Sequence, residues 1–223
     1  MTQNAKYGCL PKIGSRAPDF SGDGTYGQVS LSDFNGRWLV FFSHPSDFTP
    51  VCATEMLAFA RAYPEFEEMD CDLLGLSVDS IPAHLAWMEN IRKNTGVILP
   101  FAIISDPKGD IARRYGMTSP EESKNATTRT LFIIDPEQNV RAALNYPISA
   151  GRSVEEVKRL LCAIQTGDAS GAVTPADWKK GDAVMKKEPG NYQTILSEGA
   201  DGSNGAAGGY RLDWYMCFCD LPE

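Results

Sequence analysis

Histidine is scarce in this chain, with only His44 and His84 in 223 residues, and none of the cysteines at 9, 52, 71, 162, 217 and 219 share a Cys-x-x-Cys spacing. Structural zinc and a thioredoxin-type dithiol are therefore both disfavoured, because each needs closely spaced ligands or thiols. Positive charge is also in deficit: 21 Lys and Arg stand against 29 Asp and Glu, a formal net charge of −8. That balance argues against a nucleic-acid or anionic-membrane partner, both of which favour basic patches. No apolar run approaches the ~20 residues of a membrane span, and the first residues lack the basic and apolar regions of a leader peptide. The expectation is a cytoplasmic protein without membrane contact. Six cysteines are even in number, but their spacing does not suggest a secreted framework, and a chain of this length buries a core without staples. Thiols that matter here should be reactive ones.

One thiol is placed for that. The run Trp38-Leu39-Val40-Phe41-Phe42 is continuously apolar and reads as a strand buried on both faces. A loop follows, in which Pro45 and Pro50 forbid an uninterrupted helix. Pro50 nevertheless suits a first helical position, and Thr49 before it is a preferred N-cap. Cys52 then falls in the first helical turn, where unpaired amide N–H groups and the helix dipole stabilise an anion, here a thiolate. A lone cysteine near a helix start more often acts as a small buried hydrophobe. Its neighbours decide between the two.

Along the chain, residues 1–30 are polar and glycine-rich, with Gly14 to Phe20 as the first ordered-looking piece. A helix is expected from Cys52 to about Tyr63, ended by Pro64, with Met56, Phe59, Ala60 and Tyr63 on one face. Leu73 to Val78 reads as a second buried strand, followed by a helix whose apolar face is expected to carry Ile81, Leu85, Met88 and Ile91. On that helix His84 is expected at the surface and Trp87 in the core. Phe101 to Ile104 and Asp110 to Tyr115 repeat the strand-helix theme. Thr130 to Ile134 and Val140 to Leu144 form adjacent strands with a hairpin-sized connection, and a last helix starts at Ser153 with Val154, Val157, Leu161 and Ile164 on one side. This alternation gives an α/β or α+β sandwich and is compatible with a thioredoxin-like core, though pattern alone does not choose it. After Gly167 the character changes. Residues 199–209 are a low-complexity, flexible linker, and the aromatic tail Tyr210 to Cys219 beyond it should dock on something.

The stretch Ser43-His44-Pro45-Ser46-Asp47-Phe48-Thr49-Pro50-Val51-Cys52 resembles the peroxiredoxin signature, in the form seen in the 1-Cys or peroxiredoxin-6 type branch. The resemblance extends through Leu76-Ser77-Val78-Asp79-Ser80, His84-Leu85-Ala86-Trp87, Leu99-Pro100-Phe101, Tyr146-Pro147, Gly151-Arg152 and Thr174-Pro175-Ala176-Asp177-Trp178, nearly the whole chain. It implies a thioredoxin-like α/β fold, a central mixed sheet flanked by helices, in a peroxidase domain at residues 8–168, with a C-terminal extension at 169–223. It implies a thiol-dependent peroxidase that reduces hydrogen peroxide and organic hydroperoxides without metal or other cofactor, through a sulfenic acid at Cys52.

Site roles follow from the same resemblance. Cys52 attacks the peroxide, Thr49 hydrogen-bonds it, Pro45 shields the site, Arg129 lowers the charge cost of the thiolate and holds the leaving oxygen, Glu55 orients that guanidinium, and Arg152 braces the site. His44 is assigned to substrate binding, with a packing and hydrogen-bonding role. A cysteine-protease role for His44 is disfavoured, since it lies upstream on a strand end and no oxyanion loop is recognisable. The sulfenic acid must be reset by a thiol. The C-terminal motif of archaeal and bacterial relatives resembles Tyr210-Arg211 through Cys219, but a first cysteine is missing between Arg211 and Leu212, Cys217 matches the second, and Cys219 is extra. Either is a candidate resolving thiol, with a thioredoxin-like or low-molecular-weight thiol as external reductant. Homodimers, or decamers of five dimers, are implied as well. Some members also hydrolyse phospholipids with a serine and a histidine; Arg37 and Ser32, respectively, fall at those positions here, so that activity is not expected. Two other classes stay open on the residues alone: a thiol–disulfide oxidoreductase, and a redox-sensing or chaperone-like binding protein whose tail is released when Cys52 is oxidised.

Overall fold

The computed structural model describes residues 8–197 and 209–221. Residues 199–208 of the expected linker therefore lie outside the described residues. The chain divides into two compact units, Met1–Val154 and Glu155–Glu223.

The first unit runs β1 (Ser21–Gly24), β2 (Gly27–Ser30), a 3-10 turn at Leu31–Phe34, β3 (Trp38–Ser43), α1 (Pro50–Glu68), β4 (Cys71–Ser77), α2 (Ile81–Thr95), β5 (Ala102–Ser105), α3 (Asp110–Arg114), β6 (Arg129–Ile134) and β7 (Val140–Tyr146). These strands form one seven-stranded sheet in the order β2-β1-β5-β4-β3-β6-β7. β3, β4 and β5 are mutually parallel, whereas β6 lies antiparallel to β3 and β7 antiparallel to β6. All six residues of β3 are buried, as an uninterrupted apolar run requires of a strand covered on both faces. Alternate side chains serve the two sides. Phe41 packs against Phe20, Tyr115 and Phe132 in one core, with ring centroids 4.9 Å from Phe20 and 5.0 Å from Tyr115. Phe42 points the other way and stacks on Phe59 of α1, centroids 4.5 Å apart.

Three expectations fail here for physical reasons. α1 does not end at Tyr63 but continues through Pro64 to Glu68. Phe59 and Phe66, on either side of that proline, are both fully buried, so tertiary packing outweighs the lost backbone hydrogen bond. α2 buries His84, Trp87 and Ile91, while Leu85 is exposed. The true stripe therefore starts on a histidine, which hydrophobic periodicity does not count. Finally, the glycine-rich opening contains the hairpin β1–β2, which sequence reading passed over. Its turn is Thr25–Tyr26, Gly27 opens β2 directly after it at φ +114°, and Gly24 pairs with Ile104 of β5.

The second unit contains most of α4 (Val154–Ser170), then β8 (Val184–Met185), α5 (Tyr192–Ser197), β9 (Arg211–Asp213) and β10 (Met216–Cys219). The tail docks by strand pairing: β10 lies between β8 and β9 in a three-stranded sheet. Tyr210 stacks on Phe218 with centroids 4.4 Å apart, and Cys219 packs with Cys162 and Ala172 against a small core of Ala163, Trp178 and Val184.

Truncating Phe41 to alanine should lower the unfolding free energy by about 3–5 kcal/mol in a urea titration, since it empties the centre of a core with no solvent to fill it. A loss under about 1 kcal/mol would mean that β3 is not the organising strand.

Candidate active site

β3 delivers the chain to residues 45–50, and Pro50 then begins α1, so Cys52 stands at the third helical position. Cys52 is fully buried, Pro45 and Asp47 are buried, Thr49 is half-buried and Phe48 is exposed. Phe48 has φ +54°, a left-handed conformation that a bulky residue adopts only at a cost. Thr49 has the extended backbone of an N-cap, but its hydroxyl makes no capping bond. It donates instead to the Ser46 carbonyl, 2.8 Å away. Its one proton is thereby used, and towards any ligand it is an acceptor.

β6 lies beside β3, and Arg129 is its first residue, which brings the guanidinium to the level of the Cys52 turn. Arg129 Nη1 lies 3.4 Å from Cys52 Sγ and donates to Glu55 Oε2 at 2.6 Å, while Nε donates to the Ile148 carbonyl at 2.9 Å. Glu55, one turn after Cys52 on the same helical face, also receives Arg152. The Arg152 amide and Nε each donate to Oε1 at 2.8 Å, and Nη2 donates to Oε2 at 2.8 Å. Arg152 further donates to the Thr130 carbonyl and lies 5.1 Å above the Phe42 ring. Glu55, Arg129 and Arg152 are all buried. Burial opposes the charged form of Glu55, but the hydrogen bonds and charge of Arg152, with Arg129 behind them, outweigh it and hold the carboxyl below its ordinary range. Two cations around one carboxylate leave one positive charge over, and the sulfur of Cys52 is beside it.

Sequence-expected residues Cys52, Glu55, Arg129 and Arg152 thus converge. Pro45, Thr49 and His44 lie in the adjoining loop and at its root. His84 does not sit at the surface of α2: it is fully buried. Its Nδ1 is 2.7 Å from Asp47 Oδ2, and His44 Nε2 is 2.9 Å from Asp47 Oδ1. The Asp47 amide donates to Asp79 Oδ2 at 2.9 Å. Asp47, Asp79 and His84 were missed as site residues. The signal available was the spacing His84, Trp87, Ile91, which marks one helical face once histidine is allowed on it. One metal-capable group occurs among the described residues: ligand atoms of His44, Asp47 and His84 all lie within 4.8 Å of one another. Two histidines far apart in sequence are adjacent in space.

Comparison with known proteins places the chain in a family. Residues 13–143 match the family model described as AhpC/TSA family, and residues 163–191 match the C-terminal domain of 1-Cys peroxiredoxin. Peroxiredoxin 2 of Caldanaerobacter subterraneus subsp. tengcongensis is 46% identical over 210 residues, covering 94% of this chain and 93% of that protein. The chain belongs to the peroxiredoxin family. A peroxiredoxin of Aquifex aeolicus is 42% identical over 219 residues, covering 93% and 96% of the two chains. Among solved structures, yeast mitochondrial 1-Cys peroxiredoxin superposes with a TM-score of 0.82 at 32% identity, covering 95% of this peroxiredoxin and 100% of that chain. Peroxiredoxin 6 of Arenicola marina gives 0.81 at 28% identity, covering 95% and 99%. This peroxiredoxin is of the 1-Cys, peroxiredoxin-6 type, with a thioredoxin-like fold and a C-terminal extension, and it is a thiol-dependent peroxidase. Among the described residues no helix is long and apolar enough to cross a membrane.

Replacing Glu55 by glutamine should cost about 3–5 kcal/mol, because two buried guanidinium groups lose their shared counter-charge. The pH dependence has a definite sign. The folded carboxyl titrates below its ordinary 4.5, so on acidification the unfolded chain binds the proton first. The stabilisation is complete above 4.5 and is lost as pH falls through the folded value. Urea titrations across this range should show a shallower acid-side slope for Glu55→Gln than for wild type, and equal slopes would contradict the assignment.

Proposed function

We propose that Cys52 is the peroxidatic sulfur, activated by Arg129. The observation that supports this most directly is a buried guanidinium nitrogen 3.4 Å from Sγ and bonded to Glu55. An electron pair of the thiolate forms a bond to the nearer peroxide oxygen as the O–O bond breaks. The departing oxygen takes a proton and leaves as water or an alcohol, so the peroxide is reduced and the sulfur is oxidised to a sulfenic acid. Arg129 stabilises charge on that departing oxygen, Thr49 accepts a hydrogen bond from the peroxide O–H, Pro45 keeps water out, and His44 completes the substrate contacts at the root of the loop. Glu55 aims Arg129, and Arg152 holds Glu55. Because Cys52 is fully buried, peroxide reaches it by displacement of residues 45–50.

A second thiol then attacks the sulfenic sulfur, forming a disulfide and releasing water. Cys217 is the candidate within the chain, with Cys219 exchanging with it or with an external reductant. Cys217 is half-buried in the β9–β10 hairpin, where its thiol donates to the carbonyls of Asp213 at 3.4 Å and Trp214 at 3.7 Å. The solved yeast relative is described as resolved through glutathione and thioredoxin systems, and we extend that class of donor, a thioredoxin-like or small thiol, to this chain. Catalysis falls to residues 8–168, with 169–223 as the extension, in a cytoplasmic enzyme acting as a homodimer or as a decamer of five dimers.

Cys52→Ser should abolish peroxide consumption with dithiothreitol as donor, and Arg129→Leu should reduce kcat/KM by about 10²–10³-fold, the usual loss for one oxyanion donor. Full activity in the serine variant would remove Cys52 from the reaction. After stoichiometric peroxide, non-reducing peptide mass spectrometry should find Cys52 linked to Cys217 or Cys219. Finding neither linkage would leave resolution to an external thiol alone.

A further inference from the structure

Asp47 lies inside the reactive loop, and its carboxylate faces two histidines. Each oxygen meets one ring nitrogen: Oδ1 meets His44 Nε2 at 2.9 Å and Oδ2 meets His84 Nδ1 at 2.7 Å. Burial works against ionisation of Asp47, but those two hydrogen bonds outweigh it and keep the carboxyl below its ordinary range. A carboxylate only accepts, so both facing nitrogens carry protons. The opposite nitrogens, His44 Nδ1 and His84 Nε2, are buried and have no hydrogen-bond partner among the described residues. Burial, outweighing Asp47, pushes His44 below its ordinary value, so at neutral pH the ring is uncharged and Nδ1 is a bare lone pair. A buried acceptor without a donor is destabilising. One kept at the root of the reactive loop is a place for a donor to arrive, and a peroxide O–H is a donor.

The same contacts fix the loop. His84 and Trp87 are on α2, and the Trp87 ring centroid lies 5.3 Å from that of His44. The Asp47 amide is held by Asp79, whose Oδ2 also receives the Ser77 hydroxyl at 3.0 Å. Through its carboxylate and its amide, Asp47 therefore ties the segment carrying Pro45 and Thr49 to α2 and to the end of β4.

We propose that Asp47 and His84 are positioning residues for peroxide reduction: they lock His44 as the tautomer with its proton on Nε2, and they clamp residues 45–50 against α2. The proposal rests on the peroxidase reading of Cys52. A divalent ion held by the same three side chains is the competing use of this cluster. At the two ring nitrogens that face Asp47 it would have to displace both shared protons.

The chain has only two histidines, which makes the test direct. In reduced protein labelled with 15N-histidine, long-range proton–nitrogen NMR at neutral pH should show one ring protonated at Nε2 and one at Nδ1. The Nδ1-protonated signal should disappear in His84→Asn. The asparagine amide can donate from the position of Nδ1, so that variant should keep kcat/KM for hydrogen peroxide within about threefold, whereas His84→Leu should lose on the order of 10- to 100-fold, as misplacement of reacting groups does. Two rings of the same tautomer, a stoichiometric zinc content in purified protein, or a folded His84→Leu protein with wild-type kcat/KM would each overturn the proposal. Should the leucine variant fail to fold, the tautomers of wild type and His84→Asn still decide it. A wild-type protein that turns over no peroxide would instead sink the peroxidase reading, and the NMR would report separately whether the lock exists.

Discussion

The structure depends on one arrangement of charge: a buried carboxylate, Glu55, shared by two buried guanidinium groups. Taken alone, any of these three ions would be prohibitively expensive away from water. Together they satisfy one another through three guanidinium hydrogen bonds to Glu55, the Arg152 backbone amide adds a fourth, and carbonyls of Ile148 and Thr130 take up further guanidinium donors. The sum of the three charges is still positive. The sulfur of Cys52 lies 3.4 Å from Arg129 Nη1, on the edge of that positive charge.

The sheet topology is what makes this meeting inevitable. β3 is the strand that α1 follows, and β6 is its antiparallel neighbour, so the start of β6 lies level with the end of β3. Cys52 and Glu55 come from the first turns of α1, Arg129 from the first residue of β6, and Arg152 from the segment after β7. Phe42 and Phe59 stack beneath Arg152 and close the apolar floor. The core residue at the end of β3 is thus also part of the site, and stability and chemistry share side chains at that point.

What was legible in the sequence was what depends on local rules. A continuous apolar run gave β3, a proline at a helix start gave the position of Cys52, and the motif around it led to Arg129 and Glu55. What escaped depends on tertiary context. Pro64 inside α1 is tolerated because Phe59 and Phe66 pack on both sides of it, which no propensity scale records. His84 was assigned to the surface because imidazole counts as polar, yet Asp47 from a distant segment gives it a buried partner. Thr49 has N-cap backbone geometry but turns its hydroxyl to Ser46, since the loop carbonyl competes with the helix amides for the same side chain.

Burial by itself does not make a reactive thiol. Cys71, at the start of β4, is as deeply buried as Cys52, and burial, with the charge of Asp72 added to it, pushes its thiol up. Arg37 lies on that side of the molecule, but it is engaged by Asp70 and Asp72. The surplus charge near Cys71 is consequently negative, whereas around Cys52 it is positive. Cys52 on α1 and Cys71 on β4 are equally buried, and what differs is the sign of the charge beside them. That sign is set by which strand brings an arginine to the carboxyl end of β3.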